Sequence, residues 1–454
     1  MLRIILKKKS SFIVLMIVSL FLTFGFLSCQ TQKSIQNEKQ SEMQIVSEAE
    51  DEKTEKADKT DEKFQPNGLA ILNIQEPLIL EPFETTSKNM GDGTFHDAAF
   101  IAKDMQLGLN LGNTMEAYNA GGCEKISYSW IPKIGNNTPS NYESCWGAPV
   151  TTQEMIDGIK AAGFNTVRIP VFWGNMMEND GTWTINKKYL ERVREIVDYC
   201  FNDDLYVVVN IHHFDEFVIR RNSIDDCRII FTNLWTQISS YFNNYSEKLI
   251  FEGYNEYLGG KQFTSSGFLA ELPRNKGYEL TNAMNKAFVE AVRATGGNNK
   301  NRVLIISGYW TNIDLTTGKD FIVPEDSVAN RLMVSVHYVD NSMFWSRQIG
   351  GSAWEKYIDG QIALLNKAFT SRNIPVFLGE TTARYPKENF TAAATHKTTS
   401  ECLEYVLTKL TDNGFVPVIW DTPENFYLRK EGRINDDADK VVVSKIAGIL
   451  KERK

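Results

Sequence analysis

From residue 105 onward the chain repeats one unit eight times: a short apolar, β-branched run followed by a stretch with helical spacing. That alternation is the signature of parallel βαβ units. The runs are Met105–Leu111, Phe164–Pro170, Leu205–Ile211, Leu249–Tyr254, Arg302–Ser307, Arg331–His337, Pro375–Gly379 and Phe415–Trp420. Helical spacing occupies 152–162, 187–201, 228–244, 278–294, 353–369, 396–411 and 437–451. Between the fifth and sixth runs, Gly318 and Pro324 leave room for only a short helix within 312–330. Eight units in about 350 residues suit an α/β fold of the (β/α)8 TIM-barrel type better than a doubly wound sheet. No glycine-rich fingerprint follows the first run, which also counts against a dinucleotide fold.

The 454 residues would otherwise suggest two or three domains, but the N-terminal part is not fold. Arg3 and Lys7 to Lys9 form a basic head, an apolar run spans Phe12 to Phe26, and the text then reads Leu27-Ser28-Cys29. This is the layout of a secretory signal over 1–28, with Cys29 placed as the acylated cysteine of a lipoprotein. An uncleaved membrane anchor is the alternative; either way the remainder is exported and tethered. Residues 29–65 lack apolar periodicity, and 29–63 carry ten acids against six lysines, so they read as a disordered acidic tether. A pre-barrel segment follows over 66–97, and 98–454 form one catalytic domain. The expected location is a membrane-anchored lipoprotein at the cell surface or in the periplasm. A net charge of −8 argues against a nucleic-acid partner, and the chain is expected to be monomeric.

In a barrel of this kind, reactive residues stand at the C-terminal ends of the strands. The polar groups there are Asn113, Arg168, His212 with His213, Asn255 with Glu256, His337 with Tyr338, Glu380, and Trp420 with Asp421. Three of the chain's five histidines are among them. Each alone has a plain structural explanation, as a solvated rim residue or a satisfied core group. Seven strands offering acid, amide, imidazole, phenol and guanidinium to one mouth do not read as rim.

Two carboxylates facing each other across a sugar can cleave a glycosidic bond, with retention when about 5 Å separates them. Glu256, beside Asn255, could have its proton modulated by His337, while Arg168 and Tyr338 could hold Glu380 ionised as a nucleophile. Sequence alone does not place these partners. Trp173, Trp310 and Trp345 follow the second, fifth and sixth runs and Tyr118 follows the first, so their rings could stack on sugar or cap the barrel core.

These pieces resemble glycoside hydrolase family 5, in the clan of retaining (β/α)8 glycosidases. From about Ala98 onward they read Gly108-Leu109-Asn110-Leu111-Gly112-Asn113-Thr114, Phe164-Asn165-Thr166-Val167-Arg168-Ile169-Pro170, Asn210-Ile211-His212-His213 and Tyr254-Asn255-Glu256. Val336-His337-Tyr338, Leu378-Gly379-Glu380 and Ile419-Trp420-Asp421 complete the ordered set. The opening piece and Trp146-Gly147 are similar to the subfamily rich in endoglucanases, xyloglucanases and mixed-linkage glucanases. The resemblance implies that Glu256 is the acid/base, Glu380 the nucleophile and Asn255 the amide on the sugar 2-hydroxyl. It further implies that Arg168 and Tyr338 position the nucleophile, that His212 and His337 are site imidazoles, and that Trp420 is the platform under the −1 sugar. His213 and Asn113 are implied as direct sugar contacts. Tyr257, where proline commonly follows the acid/base, and Val339-Asp340-Asn341 depart from the family's pattern and alter cleft walls.

The expected function is therefore a retaining endo-β-1,4-glucanase acting on cellulose-like, mixed-linkage or xyloglucan chains without a cofactor. A mannanase or xylanase of the same family, or a non-catalytic glycan-binding lipoprotein, are the alternatives. No catalytic metal is expected, because His212 and His213 are adjacent and no third ligand has metal-site spacing. No Gly-x-Ser-x-Gly elbow or CxxC pair occurs. Five cysteines follow Cys29, an odd number; a Cys123–Cys145 bridge would suit an exported protein, while Cys200 and Cys402 read as small core residues.

Overall fold

The eight runs pair edge to edge and close into a parallel barrel. A computed structural model describes residues 76–118, 138–177, 182–214, 223–256, 262–263, 269–270 and 272–453. The strands are β1 Gly108–Asn110, β2 Thr166–Ile169, β3 Tyr206–Asn210, β4 Leu249–Glu252, β5 Leu304–Ser307, β6 Leu332–His337, β7 Val376–Thr381 and β8 Val416–Ile419. Each pairs with its sequence neighbours, and Gly108 of β1 closes the circle by pairing with both Thr166 and Val418. The leader, the tether, Cys29, Cys123 and Tyr257 lie outside the described residues.

Helices α1 Ala98–Met105, α2 Gln153–Ala161, α3 Lys187–Asn202, α4 Ile224–Tyr241 and α5 Arg274–Ala294 belong to the first half. The second half has α6 Ile313–Thr316, α7 Ser352–Ala368, α8 Thr399–Asp412 and α9 Asp437–Glu452. α6 has the single turn that Gly318 and Pro324 allow. Several boundaries differ from the sequence expectation, two of them for clear local reasons. Met105 ends a helix, α1, instead of opening a strand; Asp97 caps that helix by accepting from Phe100 N, and Gln106 breaks it at φ 57°. α4 starts four residues earlier than its apolar spacing suggests, because Ser223 caps it and Asp225 and Asp226 sit favourably in its first turn.

Strand alternation divides the core. Outward residues such as Val207, Val209, Leu249 and Phe251 pack under the helices in the larger cluster. Inward residues of the lower barrel, Tyr206, Val208, Ile250, Ile305, Met333, Phe377 and Val418, join Ile101 and Met105 of α1, which plugs the N-terminal end. One step higher along the same inward rows, the residues turn polar: Asn110, Arg168, Asn210, Glu252 and Ser335 are all fully buried. The barrel thus has an apolar floor and a polar ceiling. Cys200 and Cys402 are buried core residues, and burial pushes the Cys402 thiol up to about 12.

Candidate active site

The polar ceiling is organised around one guanidinium. Arg168 donates from Nε to Glu252 Oε2 (2.7 Å), from Nη2 to Asn255 Oδ1 (2.8 Å), and from Nη1 to Asn110 Oδ1 (3.0 Å) and Glu380 Oε1 (3.5 Å). Burial disfavours its charge, but Glu252 and Glu380 outweigh that and hold the guanidinium above its ordinary value. Asn110 in turn donates to the carbonyls of Gly379 (2.9 Å) and Ile419 (3.2 Å), tying β1 to β7 and β8.

Glu380 reaches this site through a bulge. In β6–β7 pairing Val336 faces Leu378 but His337 faces Glu380, so Gly379 is an extra residue. Strict alternation from Phe377, which points inward, would turn Glu380 out among the helices. The bulge turns it in, towards Arg168 and the Tyr338 hydroxyl, which donates to Oε2. Tyr338 itself follows inward-facing His337, and both reach the mouth because Tyr338 takes φ 47°. Burial first, then the Glu380 and Glu256 charges, push its phenol well above the ordinary range, so it stays a donor.

Above Glu380 lies His337, whose Nδ1 is 3.1 Å from Glu256 Oε1 and 3.7 Å from Glu380 Oε2. Ligating atoms of Glu256, His337 and Glu380 all fall within 4.8 Å of one another. Among the described residues this trio is close enough to hold a cation, a grouping that spacing along the chain does not reveal. Its atoms are already engaged in proton-sharing contacts, and the two carboxyl groups differ in setting: Glu256 is 23% exposed at the side chain, Glu380 6%. A buried, donor-bound carboxylate facing a more open one across a sugar-sized gap is suited to one attacking and one proton-transferring role.

The mouth is walled by rings. His212, beside Asn210 Nδ2 at 3.4 Å, lies parallel to the Trp420 ring at 6.3 Å between centroids. Trp420 rests on Gly112, where an added Cβ would sit 3.0 Å from the indole and collide with the Asp421 carbonyl. His213, at φ 55°, turns away from His212 into a box of Tyr118, Phe172 and Trp146. Burial pushes its pKa down to about 4, so the ring is neutral near neutral pH. Asn113 sits at φ 58° with its N–H donated to Glu116. Four residues at the mouth, Asn113, His213, Trp310 and Tyr338, take this left-handed conformation, as do other non-glycine residues elsewhere in the chain.

Trp310 and Trp345 stand open at the rim, 39% and 41% exposed. Trp173 does not join them. It is fully buried, donates Nε1 to Asn210 O at 2.9 Å and packs edge-on to Tyr189, so it is a core residue with no face for a sugar. The rim expectation fails because the chain after β2 turns inward at once: the short 3-10 segment Trp173–Met176 is buried throughout.

Several site residues escape a strand-end reading. Glu252, Asn210, Asn110 and Ser335 fall inside the longer apolar runs read from the sequence, although the first three prove to be the last residues of their strands; the available signal is a polar residue in an otherwise apolar, buried run. Glu116 and Arg429 lie in loops. Glu116 accepts from the N–H groups of Asn113 and Thr114, and burial still raises its pKa to about 7. Arg429 donates to Gly112 O (2.6 Å) and to Asp421 Oδ2 (3.4 Å), while burial, opposed by Arg429, lifts Asp421 to about 6.

Known proteins of similar sequence and fold are glycosidases. A family model described as cellulase (glycosyl hydrolase family 5) matches residues 131–425. Endoglucanase A of Clostridium longisporum is 35% identical over 78% of this chain and 64% of its own length, so the chain spans just under two thirds of that relative. Endoglucanase A of Paenibacillus barcinonensis is 32% identical over 81% of this chain and 92% of its own. Among solved structures, a broad-specificity endoglucanase from the same Clostridium covers 79% of this chain and 100% of its own at TM-score 0.64 and 29% identity. A Bacteroides ovatus xyloglucanase in complex with a heptasaccharide covers 82% and 79% at TM-score 0.64 and 28% identity.

Proposed function

Because this chain belongs to glycosyl hydrolase family 5, we propose that it is a retaining endo-β-1,4-glucanase acting on cellulose-like, mixed-linkage or xyloglucan chains. The observation that carries the reading is the Glu256–His337–Glu380 cluster, whose carboxylate oxygens approach within 4.8 Å. That is the short separation of a double displacement, with no room for a water between acid and nucleophile. Glu380, oriented by Arg168 and Tyr338, attacks the anomeric carbon as Glu256 gives its proton to the leaving oxygen. Glu256 then takes a proton from water, which releases the sugar from Glu380. Asn255, held by Arg168, meets the 2-hydroxyl; His337 exchanges hydrogen bonds with both carboxylates as their charges swap. Trp420, with His212 beneath it, offers a face to the −1 sugar, while His213, Asn113, Trp310 and Trp345 line the cleft on either side.

The curated relatives include endoglucanases and a xyloglucan-specific endo-β-1,4-glucanase of Bacteroides ovatus, which supports a β-glucan substrate. The lipobox-like Leu27-Ser28-Cys29 supports export and anchoring through an acylated Cys29, and the chain is proposed to act as a monomer. The test is mature protein incubated with carboxymethyl cellulose, xyloglucan, lichenan, mannan and xylan, with product lengths determined. Glucan cleavage to mixed oligosaccharides is expected; cleavage of mannan or xylan alone would move the substrate class. Binding with no reducing sugar from any polymer would make the protein a glycan-capture module. Glu380→Gln should lose at least about a thousandfold in kcat with oligosaccharide affinity largely kept.

A further inference from the structure

Arg168 carries one charge and meets two carboxylates. Glu380 is one; the other, Glu252, lies below the mouth, wholly buried, and the double displacement does not use it. Its oxygens are taken up by donors: Arg168 Nε (2.7 Å) and Asn210 Nδ2 (3.2 Å) on Oε2, and Ser335 Oγ (2.7 Å) on Oε1. Among the described residues, the charged or titratable groups tied to it are Arg168 directly, Glu380 through Arg168, His212 through the Asn210 amide, and His337 across Gly379. His337 and Glu252 both flank Gly379, where an added Cβ would lie 2.8 Å from His337 Nε2 and 3.2 Å from Glu252 Oε1. Burying a second carboxylate costs several kcal/mol unless its charge is matched. Partner count alone does not require one, since a glutamine could accept from Arg168 and Asn210 on its carbonyl oxygen and donate from its amide to Ser335 Oγ.

A guanidinium with no other partner would over-stabilise the Glu380 anion, and a nucleophile must surrender that stabilisation as it bonds to carbon. The same surplus charge would draw the proton from Glu256. We infer that Glu252 is a positioning residue that balances the charge of Arg168, so that Arg168 aims Glu380 by hydrogen bonding without blunting it or deprotonating the acid. The direction of the effect follows from sign. Arg168 links Glu252 to Glu380 and to Asn255, the neighbour of Glu256; removing the negative charge that offsets Arg168 makes both site carboxyls easier to ionise, so both limbs of the activity–pH curve move to lower pH.

The inference rests on the glucanase reading, and one experiment separates the two. The pH dependence of kcat/KM is measured on a soluble glucan for the wild type, Glu252→Gln, Glu252→Asp and Ser335→Ala. Glu252→Gln should move both limbs down by about one pH unit and lower the plateau. Glu252→Asp, with the charge withdrawn from Arg168 by one methylene, should move them the same way by less. Ser335→Ala, which removes a neutral donor and leaves the charge, should keep the limbs in place whatever its effect on rate. Limbs of folded Glu252→Gln that coincide with the wild type overturn the inference, as do equal shifts in Ser335→Ala. Should the amide variant not fold, unshifted limbs in Glu252→Asp overturn it. A wild type without turnover on any glucan ends the glucanase reading itself, a different result.

Discussion

At Gly379 one missing methyl group serves two purposes. The residue is the bulge that turns Glu380 inward, and its bare Cα leaves space for three polar atoms: His337 Nε2, Ser335 Oγ and Glu252 Oε1, at 2.8, 3.0 and 3.2 Å from where a Cβ would stand. Gly379→Ala should therefore displace the proposed nucleophile by a few tenths of an ångström and lower kcat by about 10- to 100-fold. Thermal unfolding and kcat measured together check this, since a loss of stability without a loss of rate would mean the bulge absorbs the methyl. Glu116 gives a second residue-level prediction, concerning stability. Burial raises its carboxyl to about 7, well above an unfolded value of roughly 4.3. The folded state thus binds the proton more tightly than the unfolded chain, so this group's contribution to stability is greatest in acid and declines as pH rises from about 4 to about 7. Asp421, raised to about 6, acts in the same direction over a narrower window. Melting temperatures across pH 4.5–7.5 should decline with a shallower slope in Glu116→Gln than in the wild type, and equal slopes would remove Glu116 from the account.

The loops after β1 and β8 are joined by one element-level brace. Arg429, in the short 3-10 turn Arg429–Glu431, reaches back to Gly112 O and to both the carbonyl and the carboxylate of Asp421. Asp421 also accepts from the N–H groups of Phe426 and Tyr427, which fixes the loop that follows Trp420. Arg429→Ala leaves buried Asp421 without its counter-charge and should cost about 3–5 kcal/mol in denaturant unfolding. It should also raise KM more than it lowers kcat, because Trp420 loses its fixed seat on Gly112 while Glu256 and Glu380 keep their partners. The contrast between this brace and the strands shows what the sequence conveys. Eight apolar runs, and the polar residues at the ends of seven of them, are visible because alternation and burial act locally. The 3-10 burial of Trp173 is not, because it depends on where the chain turns after β2. The inward aim of Glu380 has no local signature either: Leu378-Gly379-Glu380 reads as a strand with alternating faces until its pairing to β6 shows the extra residue. Glu252 is visible as an acid in an apolar run, yet its partners come from β2, β3 and β6.

For the whole molecule, residues 76–97 do more than lead into the barrel. They run along α4 and α3 towards the barrel floor and are held at several points. Leu78 N donates to Asn233 Oδ1, Leu80 N to Ser240 Oγ and Phe83 N to Tyr241 O, while Asn89 Nδ2 donates to Asp198. Arg194 lies 3.9 Å above the Phe83 ring, and Arg331 of the loop before β6 donates to the carbonyls of Phe95 and His96. The segment therefore fastens the helices of the second and third units to the sixth strand from outside. A chain beginning at residue 98 should keep its kcat per folded molecule, since none of these bonds touches Glu256, Glu380 or Arg168. It should unfold at a temperature several degrees lower, with α3 and α4 becoming the first sites of proteolysis. Phe83→Ala should reproduce part of that loss, on the order of 1–3 kcal/mol, through the exposed faces of Arg194 and Tyr241. A shortened chain that melts with the full-length protein would show the segment to be a passive spacer, whereas one that loses turnover while still folded would mean the strap reaches the site through the barrel wall.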